Sequence, residues 1–285
     1  MKVSLILATV GRTAQIGRCL RSLAAQTDTN FEVLLVDQNQ DDRLLPFVQE
    51  AATLGLTLTH LRMPVPNLSG ARNLGLSKAQ GDIVGLSDDD CWYEADAISA
   101  VRTAFLCAPQ LDGVVAQWAE HAEANAIKPP TEILSLEAWR RFRGGDASSI
   151  RLFFKVALLN RLGGFDERFG VGQWFGAAEE IDLVLRALSA GANLASSPQA
   201  KVHHDMPNSA NAPLLTLARN MRKRSRGTGG IYAKHRLSAW TVLRGFAAPA
   251  LMPLMHGKFR AALIGAFVAL GRLEGFMAWK LSGFR

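Results

Sequence analysis

The chain has 285 residues, is 48% hydrophobic and carries a formal net charge of +7. That is enough for one large domain, or one domain plus an appendage. Cys19, Cys91 and Cys107 are odd in number and lack metal-type spacing, which excludes a disulfide framework and fits a reducing compartment.

The charge is unevenly spread. Residues 201–285 hold 14 Lys/Arg against 2 Asp/Glu, whereas residues 1–200 hold 18 against 23. An acidic body with a basic tail suggests a tail that meets a negative surface.

The apolar run Val3–Ala8 is too short for a secretory leader and reads as a strand. Gln15–Ala25 has helical spacing at Ile16, Cys19, Leu20 and Leu23. Phe31–Val36 reads as a strand, Leu44–Leu54 as a helix, Leu56–Leu61 as a strand, Ser69–Gln80 as a helix and Ile83–Leu86 as a strand. Alternation of this kind predicts a parallel sheet with ligands at the carboxyl ends of its strands. Ala95–Leu106 then reads as a helix and Val114–Trp118 as a strand. Lys128-Pro129-Pro130 is a breaker. Leu152–Leu159 suits strand or helix, and Glu179–Ala190 is a helix ended by Gly191. Two uncharged runs, Gly245–Gly257 and Ala261–Gly271, are each shorter than the ~20 residues a spanning helix needs.

The chemistry gathers at the strand ends. Asp88-Asp89-Asp90 follows the fourth strand. Three adjacent carboxylates repel one another, and a hard cation relieves that repulsion. Thr9 and Arg12 follow the first strand, where a hydroxyl and a guanidinium suit a ribose or phosphate; an ordinary strand-to-helix turn is the bland reading. Asp37 and Gln38 follow the second strand and suit a base or ribose. Gly70 and Arg72 open a helix, the place where anions bind; a surface salt bridge is the alternative for Arg72. Glu179 and Glu180 open another helix, where the dipole alone favours acidic residues. A carboxylate near a pocket also takes a proton from a hydroxyl. His203-His204 is either structural or a neutral imidazole completing a metal site.

In order along the chain, Val3-Ser4-Leu5-Ile6-Leu7-Ala8-Thr9, Val36-Asp37, Gly70-Ala71-Arg72-Asn73-Leu74-Gly75, Ser87-Asp88-Asp89-Asp90, Gly163-Gly164-Phe165-Asp166-Glu167, Glu179-Glu180-Ile181-Asp182-Leu183 and His204 resemble the family 2 glycosyltransferases, bacterial type. The resemblance implies a GT-A, Rossmann-like α/β fold: a mostly parallel sheet flanked by helices, with a helical basic and apolar C-terminal tail. It implies a catalytic domain over 1–212, with a nucleotide-sugar half of about 1–110 and an acceptor half of about 111–212. Residues 213–285 form the tail.

The family resemblance further implies a nucleotide-sugar donor, a divalent Mn²⁺ or Mg²⁺ and displacement with inversion. It puts Thr9, Arg12, Asp37, Gln38, Arg72 and Asp88 at the donor. Asp89, Asp90 and His204 hold the metal, with the main burden on Asp89; Asp88-Asp90 is the other register, and His203 the fallback. Glu180 stands where the family's Glu-Asp motif has its base, with Glu179 beside it. Asp166, Glu167 and Asp182 lie on the acceptor side. Gln38 departs from a second acidic residue common after the second strand, and an amide both donates and accepts.

The expected acceptor is a glycan or a lipid-linked sugar in cell-surface polysaccharide synthesis. The tail is expected to lie on an anionic membrane, making the protein cytoplasmic and peripheral at the inner face; packing on the catalytic domain is the alternative. A sugar nucleotidyltransferase would need a glycine-rich basic loop after the first strand, and Thr9-Val10-Gly11-Arg12 is a poor one. Nucleic acid is not an expected partner, because the Met221–Arg226 run lacks interleaved aromatics and the body is acidic.

Overall fold

The strands β1 (Val3–Thr9) and β2 (Phe31–Asp37) have no exposed residue along their length. Strands covered on both faces read as continuous apolar runs and belong in the middle of a parallel sheet. The computed structural model describes residues 1–119, 133–145, 148–205 and 212–284 and places them there. Between and after them run α1 (Ala14–Ala24), α2 (Leu45–Thr53), β3 (Leu58–Arg62), α3 (Leu68–Lys78), β4 (Ile83–Asp88), β5 (Cys91–Tyr93), α4 (Ala97–Cys107) and β6 (Gly113–Trp118). Then come α5 (Leu136–Arg140), β7 (Leu152–Lys155), α6 (Val156–Leu162), α7 (Glu179–Ser189), β8 (Leu194–His204), α8 (Leu214–Lys234), α9 (Ala239–Met255) and α10 (Phe259–Leu281).

The sheet order is β3-β2-β1-β4-β7-β6-β8-β5. Four of its seven neighbouring pairs are parallel and three antiparallel, the latter involving β7 and β5. The fold is thus a mixed α/β sheet flanked by helices, mostly parallel as expected. Its register sets Ala8 beside Asp88 and Thr9 beside Asp37, so the polar strand ends form one row. Leu5, Leu7, Ile16, Val33, Leu35, Val101 and Phe153 lie in the core beneath. Gly75 of α3 allows close packing on β1, where a Cβ would lie 2.5 Å from Ile6 Cγ2.

Leu152–Leu159, which suited strand or helix, is both: β7 ends at Lys155 and α6 begins at Val156. Gly163 ends α6 in the left-handed region at φ +73°, where only glycine sits without strain. Sequence periodicity missed β5 and β8. The former has three residues. The latter contains Pro198, which argues against a strand; the ladder with β6 slips there, pairing Ala116 with Ser197 and then Gln117 with Lys201. The Lys128-Pro129-Pro130 breaker lies outside the described residues.

The chain divides into two compact units. The first comprises 1–135, 146–165 and 186–205 and contains the sheet. The second comprises 136–145, 166–185 and 206–285. Within the second, α10 packs along α8 at backbone distance: a Cβ on Gly271 would lie 2.1 Å from Arg222 O, and one on Gly275 1.9 Å from Arg226 O.

The tail corrects one expectation. The helix that carries Ala261–Gly271 does not end at Arg272; α10 runs on to Leu281, 23 residues in all, and is long and apolar enough to cross a membrane. Arg272 and Glu274 do not interrupt it because both find partners on neighbouring helices. Arg272 Nη1 donates to Gly245 O at 2.6 Å, and Glu274 pairs with Arg222 and with Arg226, the latter at 2.9 Å.

Candidate functional site

In the first unit, Asp88 ends β4, and Asp90 is followed at once by β5. Antiparallel pairing of β5 with β8 sets Cys91 opposite His204, which carries the imidazole to the acidic turn. Ligand atoms of Asp88, Asp90 and His204 all lie within 4.8 Å of one another. His204 Nε2 is 3.1 Å from Asp90 Oδ1. Asp88 accepts from Arg72 Nη2 at 3.3 Å and from Ser149 Oγ at 3.1 Å.

Asp89 is turned elsewhere. Its two oxygens accept from Thr9 Oγ1 and from Arg12 Nη1, each at 2.5 Å. The same guanidinium also pairs with Asp90. The group that closes is therefore Asp88, Asp90 and His204, the second of the two registers, and Asp89 is engaged by Thr9 and Arg12. Burial pushes the Asp89 carboxyl up, and this outweighs the Thr9 hydrogen bond and the Arg12 charge. Burial also raises Asp90, but the His204 hydrogen bond and charge, with Arg12, bring it below the usual range. The hydrogen bond to Asp90 holds the His204 imidazole above its ordinary value.

Two carboxylates and an imidazole suit a divalent cation such as Mn²⁺. Arg12 lies as a positive charge between Asp89 and Asp90 and offsets their mutual repulsion.

The other strand-end residues are near this turn in the sheet, but with their polar atoms in use. Asp37 is fully buried and accepts from Asn39 N at 2.9 Å and Asn39 Nδ2 at 2.8 Å. Its second oxygen meets His60 Nε2 at 3.0 Å and Arg62 Nη1 at 3.1 Å. Gln38 Oε1 accepts from Asn67 N at 2.7 Å. Asn67 in turn caps α3 through Gly70 N at 3.0 Å, so that helix start spends a donor on its own cap. Arg72 is buried, its guanidinium 5.5 Å from the Phe165 ring centroid. Sequence reasoning missed Ser149, Asn39, His60 and Arg62; the last two are β3 residues that only the sheet register brings to Asp37. His203, the fallback ligand, instead stacks on Trp92 at 5.1 Å.

In the second unit, Glu179 and Glu180 open α7; Glu179 is buried and Glu180 half-buried. Ala178 just before them has φ +79°, a conformation that costs a non-glycine residue energy and recurs at functional sites. Asp182 is fully buried against Lys234 Nζ at 2.7 Å and His235 Nε2 at 2.8 Å. Asp166 meets the same Lys234 Nζ at 2.6 Å and Arg168 Nη2 at 2.6 Å. Burial opposes these partners, but Arg168 and Lys234 still bring the Asp166 carboxyl down to about 2. Both carboxylates thus tie α7 and its preceding loop to the end of α8. Glu167 is exposed. Lys234 and His235 were missed, since the end of a basic helix gives no sign of a buried aspartate partner.

Residues 4–162 match the model described as Glycosyl transferase family 2. A putative glycosyltransferase, EpsH of Bacillus subtilis (strain 168), is 30% identical over 94 residues, 33% of this chain and 27% of that protein. A PGL/p-HBAD biosynthesis glycosyltransferase of Mycobacterium bovis (strain BCG / Pasteur 1173P2) is 35% identical over 100 residues, 34% of this chain and 39% of that protein. The chain covers well under half the length of these relatives. Among solved structures, the mannosyltransferase PcManGT from Pyrobaculum calidifontis in complex with GDP-Man and Mn²⁺ has a TM-score of 0.63 at 19% identity, covering 100% of this chain and 76% of that one. S. aureus TarS 1-349 has a TM-score of 0.59 at 16% identity, covering 100% and 93%. These are GT-A glycosyltransferase structures, and the likeness is one of fold.

Proposed function

The chain belongs to glycosyltransferase family 2, and from that premise we propose that it is a metal-dependent, inverting enzyme moving a sugar from a nucleotide-sugar donor to an acceptor hydroxyl. The observation that carries this reading is the closure of Asp88, Asp90 and His204 at the strand ends. These three residues would hold Mn²⁺ or Mg²⁺. When bound, the ion supplies charge neutralisation for a diphosphate leaving group. PcManGT is a GDP-Man and Mn²⁺ complex and TarS has been solved with UDP-GlcNAc, which supports a nucleotide-sugar donor here.

Arg12, half exposed, binds the donor's phosphates, and buried Arg72 adds fixed positive charge behind Asp88 where negative charge grows. Thr9 orients Asp89, and Asp89 in turn holds Arg12. Asp37 and Gln38 fix the loop that receives the base, through Asn39 and Asn67. Glu180 accepts the proton of the acceptor hydroxyl while that oxygen bonds to the anomeric carbon. The bond from that carbon to the diphosphate breaks, and a nucleoside diphosphate leaves. The strained Ala178 and the Lys234–Asp182 pair hold Glu180 at its helix start.

The acceptor is a glycan or lipid-linked sugar of cell-surface polysaccharide synthesis, reached from the inner face of the membrane. Residues 213–285 associate with anionic lipid. The support is an apolar surface on α9 and α10, with Trp240 71%, Met255 78%, Phe259 73% and Leu281 79% exposed, beside basic α8.

The base assignment is tested by Glu180→Gln. Turnover should fall by roughly 10²–10⁴-fold with donor affinity little changed, and Glu179→Gln should cost less. Near-wild-type turnover in both variants would place the proton acceptor elsewhere.

A further inference from the structure

The second unit carries a cationic groove that the reaction above does not use. Thr216, Arg219, Asn220, Arg222, Lys223 and Arg226 line a concavity of ≈ 390 Å³ along α8. Steps of three and four residues align them on one stripe of the helix. Arg222 and Arg226 share Glu274. Arg219 and Lys223 are exposed, and among the described residues neither side chain has an ion pair or hydrogen bond. Among the described residues the groove therefore sets four cations against one carboxylate, with two of the four uncommitted.

Its surroundings narrow what it takes. The Trp174 ring, half exposed, lies with its centroid 4.8 Å from the Arg226 guanidinium carbon. The segment after Trp174 lies on the same turns of α8. A Cβ on Gly176 would be 3.2 Å from Lys223 O, and one on Gly227 would be 1.9 Å from Ala177 O. Glu180 follows Ala177 by three residues, at most about 11 Å of chain. Helices α9 and α10 of this unit expose Leu251, Met252, Leu254, Leu263 and Leu270.

We propose that the α8 groove binds the diphosphate of a lipid-linked acceptor and thereby sets the acceptor's sugar beside Glu180. Converging cations in a concavity suit a compact, multiply charged anion. Dispersed basic residues would suffice for a bulk headgroup surface. The exposed apolar helices give the lipid chain a partner, and Trp174 offers a sugar a ring face. The closeness to Glu180 rests on its assignment as the base; the anion site does not.

Geranyl diphosphate, titrated by calorimetry into the full-length protein with EDTA and without donor, tests the site apart from metal and donor. The double variant Arg219→Gln/Lys223→Gln should bind it at least tenfold more weakly than the wild type. Arg219→Lys/Lys223→Arg should restore binding, since it keeps both charges. Matching melting temperatures make the loss a binding effect. Equal affinities in the wild type and the Gln variant would overturn the proposal. So would a variant that loses flotation on phosphatidylglycerol vesicles yet keeps its geranyl diphosphate affinity, because the groove would then serve headgroups. If Glu180→Gln transfers sugar normally while the Gln variant loses geranyl diphosphate, the base assignment falls and the anion site stands.

Discussion

Asp89 and Asp90 are adjacent in sequence and have opposite surroundings. Thr9 and Arg12 close over Asp89, while Asp90 faces His204. Asp90→Asn should therefore weaken Mn²⁺ binding to donor-free protein at least tenfold, and Asp89→Asn should change it by only a few-fold, leaving Arg12 paired with Asp90. Ser149→Ala, which removes a hydrogen bond to Asp88, should cost roughly tenfold, in line with other partners of metal ligands. Electron paramagnetic resonance titration of Mn²⁺ reads all three. A protein that loses the ion with Asp89→Asn and keeps it with Asp90→Asn has the first register. The acidic run itself was legible, because three carboxylates after an apolar strand have few structural reasons to be there. Which two face the histidine was not, since the β5–β8 pairing that decides it joins residues more than a hundred positions apart.

At the scale of elements, the repeating first half was readable because β1, β2 and β4 are buried runs divided by helices of clear period. Boundaries differed by one or two residues, as helix ends do. β8 escaped notice because Pro198 interrupts its ladder, and α10 looked short because Arg272 and Glu274 read as an end. Neither side chain's partner is local in sequence. The α8–α10 contact makes its own prediction. Gly275→Val would drive a side chain into Arg226 O. Overpacking of this kind costs typically 1–3 kcal/mol, so the melting temperature should drop by several degrees. Ala266→Val, on an exposed turn of the same helix, should leave it nearly unchanged. If the two variants melt alike, the close approach of the two helices contributes nothing to stability.

Over the whole molecule, the basic excess of residues 201–285 coincides with helices that leave large apolar side chains in solvent. Headgroup attraction contributes about 1 kcal/mol per Lys or Arg near an anionic surface. Full-length protein should float with phosphatidylglycerol vesicles at low salt, and removal of residues after Arg236 should abolish flotation. Protein that stays at the bottom of the gradient would end the membrane assignment. Flotation that resists both high salt and carbonate would mean that α10 inserts, as its 23 residues allow. The composition revealed the charge asymmetry, but the exposure of α9 and α10 needed the packed helices.

The proposed activity stands or falls most directly on the release of nucleoside diphosphate from a panel of UDP- and GDP-sugars, measured with Mn²⁺ and with EDTA. We expect one donor to be turned over with Mn²⁺, the signal to vanish in EDTA, and Asp90→Asn with Mn²⁺ to reproduce the EDTA result. Turnover undiminished in EDTA, or equal in Asp90→Asn and the wild type, would contradict a metal held by Asp88, Asp90 and His204.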